Sequence, residues 1–244
     1  MRALFFAFLT AGATTVGGLL AIRVRDRLHL VLGLSAGLLL GLVGFDLLPE
    51  VFSENNHVWL GTRSVSIAIL AGFLILHVVE KSFATHEPHD SEYEAGHTHK
   101  HVVGTLSGVA LLGHVFLDGV GIGAAFQISN QLGISVFFAL LVHAFNDGLN
   151  SATFMVRHGQ ISRRAIYFVL VDSVARVSGA ALGTVALING DAITLYLALF
   201  AGFVIYIATA HILPEAHANH PTRWTLLATI GGIGLMWLLV AHGA

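Results

Sequence analysis

The chain has 244 residues, of which 55% are hydrophobic and only 11% are charged, whereas charged residues make up about 25% of an average soluble domain. So few charges cannot cover a surface that faces water, which excludes a typical soluble domain and makes the lipid bilayer the expected solvent. The net charge of −2 argues against nucleic acid as a partner, and the lack of cysteine excludes disulfides and thiolate metal sites.

Eight apolar stretches follow one another, each long enough to cross about 30 Å of hydrocarbon as a helix. They are continuously apolar, unlike the alternating strands of a membrane β-barrel. The first has the length of a full span and only Arg2 before it, which favours a membrane helix over a signal peptide. The sequence predicts one all-α transmembrane domain over 1–244, with eight helices near 3–22, 29–52, 65–83, 102–128, 132–156, 165–187, 192–216 and 222–242.

The lysines and arginines predict the orientation, because cytoplasmic loops are enriched in them. If the N-terminus is outside, the outer segments hold only Arg2 and Arg63, and Arg176 lies within the sixth helix. We therefore expect both termini outside a plasma membrane. The other nine basic residues would then lie on the cytoplasmic side: Arg23, Arg25, Arg27, Lys81, Lys100, Arg157, Arg163, Arg164 and Arg223.

The longest polar segment, 84–101, separates the third and fourth helices and is expected on the cytoplasmic side. Its composition cannot bury enough apolar surface to fold alone. It is typical of a flexible, weakly metal-binding tract, and a solvated acidic loop is the alternative. Its histidines are His86, His89, His97, His99 and His101.

The fourth helix contains "GHVFLDGVGIG" and the fifth contains "VHAFNDGLNS", so a His-x-x-x-Asp-Gly pattern occurs twice, 29 residues apart. His114 and Asp118 point from one helical face, as do His143 and Asp147. The short connection makes the two helices an antiparallel pair. Both motifs lie near mid-span, so the four side chains can face each other at the bilayer midplane.

An aspartate at the bilayer centre costs about 2.5–3.5 kcal/mol on insertion scales, and two facing carboxylates also repel each other. A divalent cation would offset both penalties. Two imidazoles and two carboxylates suit zinc, iron, cobalt or manganese, and would not select soft copper. The alternative is that each residue is a hydrogen-bonded core side chain.

A second pair of motifs, "DLLPE" and "HILPE", closes the second and seventh helices. Asp46 with Glu50, and His211 with Glu215, again stand at i and i+4. The prolines, Pro49 and Pro214, are predicted to kink or end their helices. In the orientation above the two motifs lie at opposite faces, which predicts an inverted repeat of helices 1–3 and 6–8. Asp46 and Glu50 would gather cations outside, and His211 and Glu215 would receive them inside.

Two alternatives stay open for these polar residues. The acids of the second and seventh helices can be ordinary interfacial carboxylates. Asp172 in the sixth helix can be a ligand, or it can form an i, i+4 ion pair with Arg176, which is the interpretation we favour.

Together, "HVFLDGVGIGAAF", "HAFNDG", "GFDLLPE", "AHILPE" and the histidine-bearing loop resemble the ZIP (Zrt/Irt-like) divalent-metal transporters over essentially the full length. The resemblance implies eight helices arranged 3+2+3, both termini outside, import of zinc and related metals by alternating access, and often a homodimer. It implies that His114, Asp118, His143 and Asp147 are the transport ligands.

The chain departs from this family where members with two metals carry further ligands. Val115 and Ala144 follow the two motif histidines, so we expect one transported metal. The prolines often found before the motif acids are replaced by Leu117 and Asn146. Asn146 can offer an amide oxygen to the metal or to one of its ligands.

The first functional hypothesis is therefore a transporter that imports zinc, with iron, cobalt, manganese or cadmium as further candidates, and with no enzyme activity or organic cofactor. An intramembrane zinc-dependent hydrolase is the alternative, although the chain has no HExxH. A metal sensor without turnover is a third class.

Overall fold

The structure, a computed structural model, describes residues 2–24, 28–55, 57–84, 99–156, 163–185, 190–218 and 222–242. Over these residues the chain forms the eight helices that the sequence predicts, with one short β-hairpin after the second. In chain order the elements are α1 (Arg2–Val24), α2 (Leu28–Leu42, Val43–Leu47 and Leu48–Glu54 in succession), β1 (Val58–Trp59), β2 (Thr62–Arg63), α3 (Ser64–Ala84), α4 (His99–Ile128), α5 (Asn130–Val156), α6 (Arg163–Val185), α7 (Gly190–Tyr206, Ile207–Ile212 and Leu213–Ala218 in succession) and α8 (Arg223–His242).

Within the described residues, four helical segments have the length and apolar composition to cross a bilayer. Large apolar side chains also face outwards, as Leu70 on α3 and Trp237 on α8 do at 63% and 54% exposure. Extended apolar surface of this kind is unfavourable in water and suits lipid. The chain is an all-α, multi-pass membrane protein. The four segments are His29–Glu54, Ser64–Ser82, Gly190–His217 and Arg223–His242.

The helices pack most extensively as four pairs: α1 with α5, α4 with α6, α2 with α8, and α3 with α7. An inverted repeat exchanges α1 with α6, α2 with α7, α3 with α8, and α4 with α5. Under this exchange the α1–α5 pair becomes the α6–α4 pair, and the α2–α8 pair becomes the α7–α3 pair. These are the partners that an inverted repeat requires. The 3+2+3 arrangement itself stays a prediction.

Small residues let the paired helices approach backbone to backbone, as is common in membranes. A methyl group placed on Gly37 of α2 would lie 2.1 Å from the carbonyl oxygen of Thr229 on α8. One placed on Gly72 of α3 would lie 2.0 Å from that of Leu199 on α7. Any larger residue at either position would push the two helices apart.

The prolines of the two LPE motifs do not end their helices, contrary to one of the predicted outcomes. Leu48–Glu54 continues α2 beyond Pro49, and Leu213–Ala218 continues α7 beyond Pro214. The irregularity lies just before each proline, where both helices form a π-helical turn. Such a turn shifts the hydrogen-bond register, and proline lacks a donor to continue the original one.

The predicted histidine-bearing loop, 84–101, lies mostly outside the described residues. The structure describes only its two ends, residue 84 at the end of α3 and residues 99–101 at the start of α4. The loop and its binding role therefore stay predictions.

Candidate metal centre

Three of the predicted ligands converge where α4 meets α5. His114 and Asp118 lie one turn apart on α4, with 3.6 Å between the His114 Nε2 atom and the Asp118 Oδ2 atom. His143 comes from α5, and its Nε2 atom lies 3.1 Å from the Nε2 atom of His114. The structure thus brings together side chains from both copies of the His-x-x-x-Asp pattern.

These separations fit one divalent cation. In a tetrahedral zinc site with nitrogen and oxygen ligands, neighbouring ligand atoms lie about 3.3–3.5 Å apart. One ligand atom from each of His114, Asp118 and His143 falls within 4.8 Å of the others. Asp118 and His143 are 3% and 4% exposed, so a cation bound there would be nearly dehydrated.

Two further predicted ligands, Asp147 and Asn146, lie on α5 one turn after His143. Their helical backbone belongs to the structure, but their side chains lie outside its described part. Asp147 as the fourth ligand and Asn146 as an additional one therefore stay predictions.

The glycine after the α4 aspartate fixes the position of Asp118 against α6. A methyl group on Gly119 would lie 2.1 Å from the carbonyl oxygen of Arg176, and one on Gly123 would lie 2.6 Å from that of Ala180. The two backbones therefore touch beside Asp118. This GxxxG contact explains why glycines surround the motif in an otherwise apolar helix.

Gly148, which follows the second motif aspartate, has the same role on α5. A methyl group there would lie 2.0 Å from the carbonyl oxygen of Thr14 on α1. Each motif helix is thus packed against a neighbouring helix through the residue next to its aspartate.

Sequence reasoning missed the ion pair at this centre. Arg176 of α6 is fully buried, and its Nη1 atom lies 3.3 Å from the Asp118 Oδ2 atom. The sequence predicts only an i, i+4 partner for Arg176, which is Asp172. The contact with Asp118 joins residues 58 positions apart, so local spacing does not reveal it. A basic residue inside an apolar span was the available signal, because such residues require a partner.

The family model of the ZIP zinc transporters matches residues 84–240, which is more than half of the chain. This chain belongs to the ZIP zinc transporter family. The resemblance stated from the motifs is thereby confirmed.

Several curated ZIP relatives are named zinc transporters. The chain is 28% identical over 165 residues to zinc transporter SLC39A7 of Canis lupus familiaris, covering 64% of this chain and 35% of that protein. It is 30% identical over 148 residues to zinc transporter foi of Drosophila melanogaster, covering 57% and 21%. It is 25% identical over 260 residues to zinc transporter YKE4 of Saccharomyces cerevisiae, covering 91% and 74%. The chain thus spans about a third or less of the length of the first two relatives.

The residues that follow the two motif histidines of this ZIP chain are apolar and fully buried. Val115 and Ala144 are both 0% exposed. Neither can ligate a cation, so the described cluster offers ligands for one ion.

The candidate ligands of α2 and α7 lie outside this cluster in the described part of the ZIP chain. Asp46 stands in the π-helical turn of α2 and hydrogen-bonds to Ser135 of α5. Glu50 is partly exposed one turn later. The structure therefore places these two acids on a continuous helical segment, and their role in gathering cations stays a prediction.

On α7, His211 stands in the second π-helical turn and pairs with α3. Its Nε2 atom lies 2.6 Å from the Oε2 atom of Glu80, which also accepts a hydrogen bond from the Tyr206 hydroxyl group. No local sequence pattern links Glu80 to His211, because the two residues are 131 positions apart. Glu215, the other predicted ligand, is exposed one turn further on.

Proposed function

We propose that this chain is a divalent metal cation transporter that carries zinc across the membrane through the centre between α4 and α5. The observation that carries the proposal is the convergence of His114, Asp118 and His143 on one point between the apolar helices α4 and α5. The names of the relatives favour transport over the intramembrane hydrolase.

In this proposal the cation loses its water shell on entering the centre and binds two imidazoles, Asp118 and Asp147. Imidazole and carboxylate together suit zinc and admit iron, cobalt, manganese or cadmium, since this donor set does not select strongly among them. One ion binds per chain. Alternating access then exposes the same site to either side.

The direction is into the cytoplasm across the plasma membrane, with both termini outside. The excess of lysine and arginine in the inner loops supports this orientation. Asp46 and Glu50 would supply the entrance, while His211 and Glu215 would lie along the exit. A homodimer is the proposed assembly.

Proteoliposomes with a zinc-sensitive dye inside test the proposal. We expect zinc-dependent flux from wild-type protein, and at least about a hundredfold less from His143→Ala and Asp118→Asn, because each loses one of few ligands. Arg63→Gln, far from the centre on the exposed hairpin, is the matched control and should transport normally. Normal flux from both centre variants would reject the site. Lipid cleavage without zinc flux would support the hydrolase instead.

A further inference from the structure

Arg176 is the least expected residue of the centre. It is 0% exposed, and its Nη1 atom contacts the same Asp118 oxygen that faces His114. Its Nε and Nη2 atoms are buried without a hydrogen-bond partner among the described residues. A buried arginine that served only to hold the fold would be expected to have its donors satisfied, because burying an unsatisfied charged group is costly.

The packing of α6 against α4 does not require an arginine at position 176. The equivalent packing of α1 against α5 shows this. A methyl group on Gly179 of α6 would lie 2.1 Å from the carbonyl oxygen of Phe116 on α4. One on Gly17 of α1 would lie 2.1 Å from that of Phe145 on α5. The two phenylalanines each stand two residues after a motif histidine. The contact of α1 with α5 therefore has the same register as the contact of α6 with α4.

Three residues before these glycines stand Thr14 on α1 and Arg176 on α6, whose carbonyl oxygens meet Gly148 and Gly119. Threonine is therefore sufficient for the backbone contact. Its hydroxyl group hydrogen-bonds to the carbonyl oxygen of Thr10 within α1. The long, charged side chain of Arg176 therefore has no counterpart on α1, and it contacts a predicted metal ligand, Asp118.

We propose that Arg176 is an affinity-setting residue of the transport site: its guanidinium group is the counter-charge of Asp118 in the cation-free carrier and weakens the hold of Asp118 on the cation. This inference rests on the proposed function. A fixed positive charge beside a ligand atom repels a dication, and the dication must share or displace that contact when it binds.

Two consequences distinguish this role from a structural one. Release of zinc becomes easier, because the Arg176 guanidinium group neutralises the Asp118 carboxylate once the metal has left. The cation-free carrier can also change conformation without an unpaired carboxylate in the membrane, whose cost would slow its return.

The test compares zinc binding by purified wild-type protein and Arg176→Gln, measured by calorimetric titration. We expect Arg176→Gln to lower the Kd for zinc at least about tenfold, since hydrogen bonds between charged groups are worth that much. In proteoliposomes, net zinc uptake should fall while zinc–zinc exchange, which needs no return of the cation-free carrier, is retained. Arg63→Gln supplies the matched control, with unchanged Kd and uptake.

An unchanged or higher Kd in Arg176→Gln, or an equal loss of net uptake and exchange, would overturn the inference. If the variant is recovered only with zinc present during purification, that result supports it, because zinc then replaces the missing counter-charge on Asp118. Failure to recover folded variant with zinc would contradict it. His143→Ala separates the two proposals: wild-type zinc binding in that variant would reject the proposed site, whereas lost binding together with a wild-type Kd in Arg176→Gln would reject the role of Arg176 alone.

Discussion

The Nε2 atoms of His114 and His143 lie 3.1 Å apart across the interface of α4 and α5, with their rings inclined at 81°. Two neutral imidazoles at this distance can share one hydrogen bond, and two imidazoles on one zinc ion lie about 3.3–3.5 Å apart. A cation can therefore replace the hydrogen bond with small movements of the rings. The pair is already arranged for binding, which lowers the cost of assembling the site.

The glycine next to Asp118 gives a prediction about helix spacing. Gly119→Ala should force α4 away from the carbonyl oxygen of Arg176 and displace the aspartate. We expect the melting temperature to fall by about 2–10 °C and zinc uptake to fall at least about tenfold. Thermal unfolding in detergent and proteoliposome flux measure the two effects.

The matched control is Gly113→Ala on the same helix, where an added methyl group meets no described atom within 4 Å. It should unfold and transport like wild-type protein. Equal losses in both variants would show that the close contact at Gly119 is not what positions the site.

The number of bound ions follows from Val115 and Ala144. Both are buried and apolar, and Arg176 adds a positive charge beside Asp118. We expect one zinc ion per chain in purified protein dialysed against buffered zinc, measured by elemental analysis. To keep the histidines of segment 84–101 from contributing, the measurement should be repeated with all five of them replaced by alanine: His86, His89, His97, His99 and His101. Two ions per chain in that variant would contradict the single site.

The contact between His211 and Glu80 predicts a functional coupling between α3 and α7. Glu80 also accepts a hydrogen bond from the Tyr206 hydroxyl group. This one residue of α3 therefore contacts two side chains of α7. We expect Glu80→Gln and His211→Ala to slow zinc uptake by similar factors. The double variant should be no slower than the worse single one, because residues of one contact are not additive.

Tyr206→Phe is the control for this pair, since it removes one hydroxyl group and leaves the ionisable groups in place. Its uptake should lie between those of wild-type protein and Glu80→Gln. Zinc affinity at the α4–α5 centre should be the same in all four variants. Independent, multiplicative losses in the double variant would mean that the contact does not act as a unit.

Much of the fold follows from local sequence properties. The helices follow from the length of the apolar stretches, and the approach of His114 to His143 follows from the repeated spacing on an antiparallel pair. The sequence also places a glycine directly after each motif aspartate, but it does not show which helix each glycine contacts. Composition and period are sufficient for features of this kind because each depends on one helix or on two consecutive ones.

The remaining features depend on helices that are distant in sequence. The Arg176–Asp118 pair joins α6 to α4, whereas local spacing can suggest only a partner on the same helix, such as Asp172. The π-helical turns before Pro49 and Pro214 have the composition of ordinary helix, so periodicity cannot reveal them. The hairpin between α2 and α3 depends on positive φ angles at Leu60 and Gly61, of which glycine alone gives a sequence signal.

X-ray absorption at the zinc edge tests the central claim most directly, because it reports the atoms bound to the metal. In purified wild-type protein with one zinc ion, we expect only nitrogen and oxygen neighbours at about 2.0–2.2 Å, with the multiple scattering of two imidazoles. His114→Ala and His143→Ala should each remove one imidazole from that signal or abolish binding. A spectrum without imidazole, or one that neither variant changes, would show that the metal binds elsewhere.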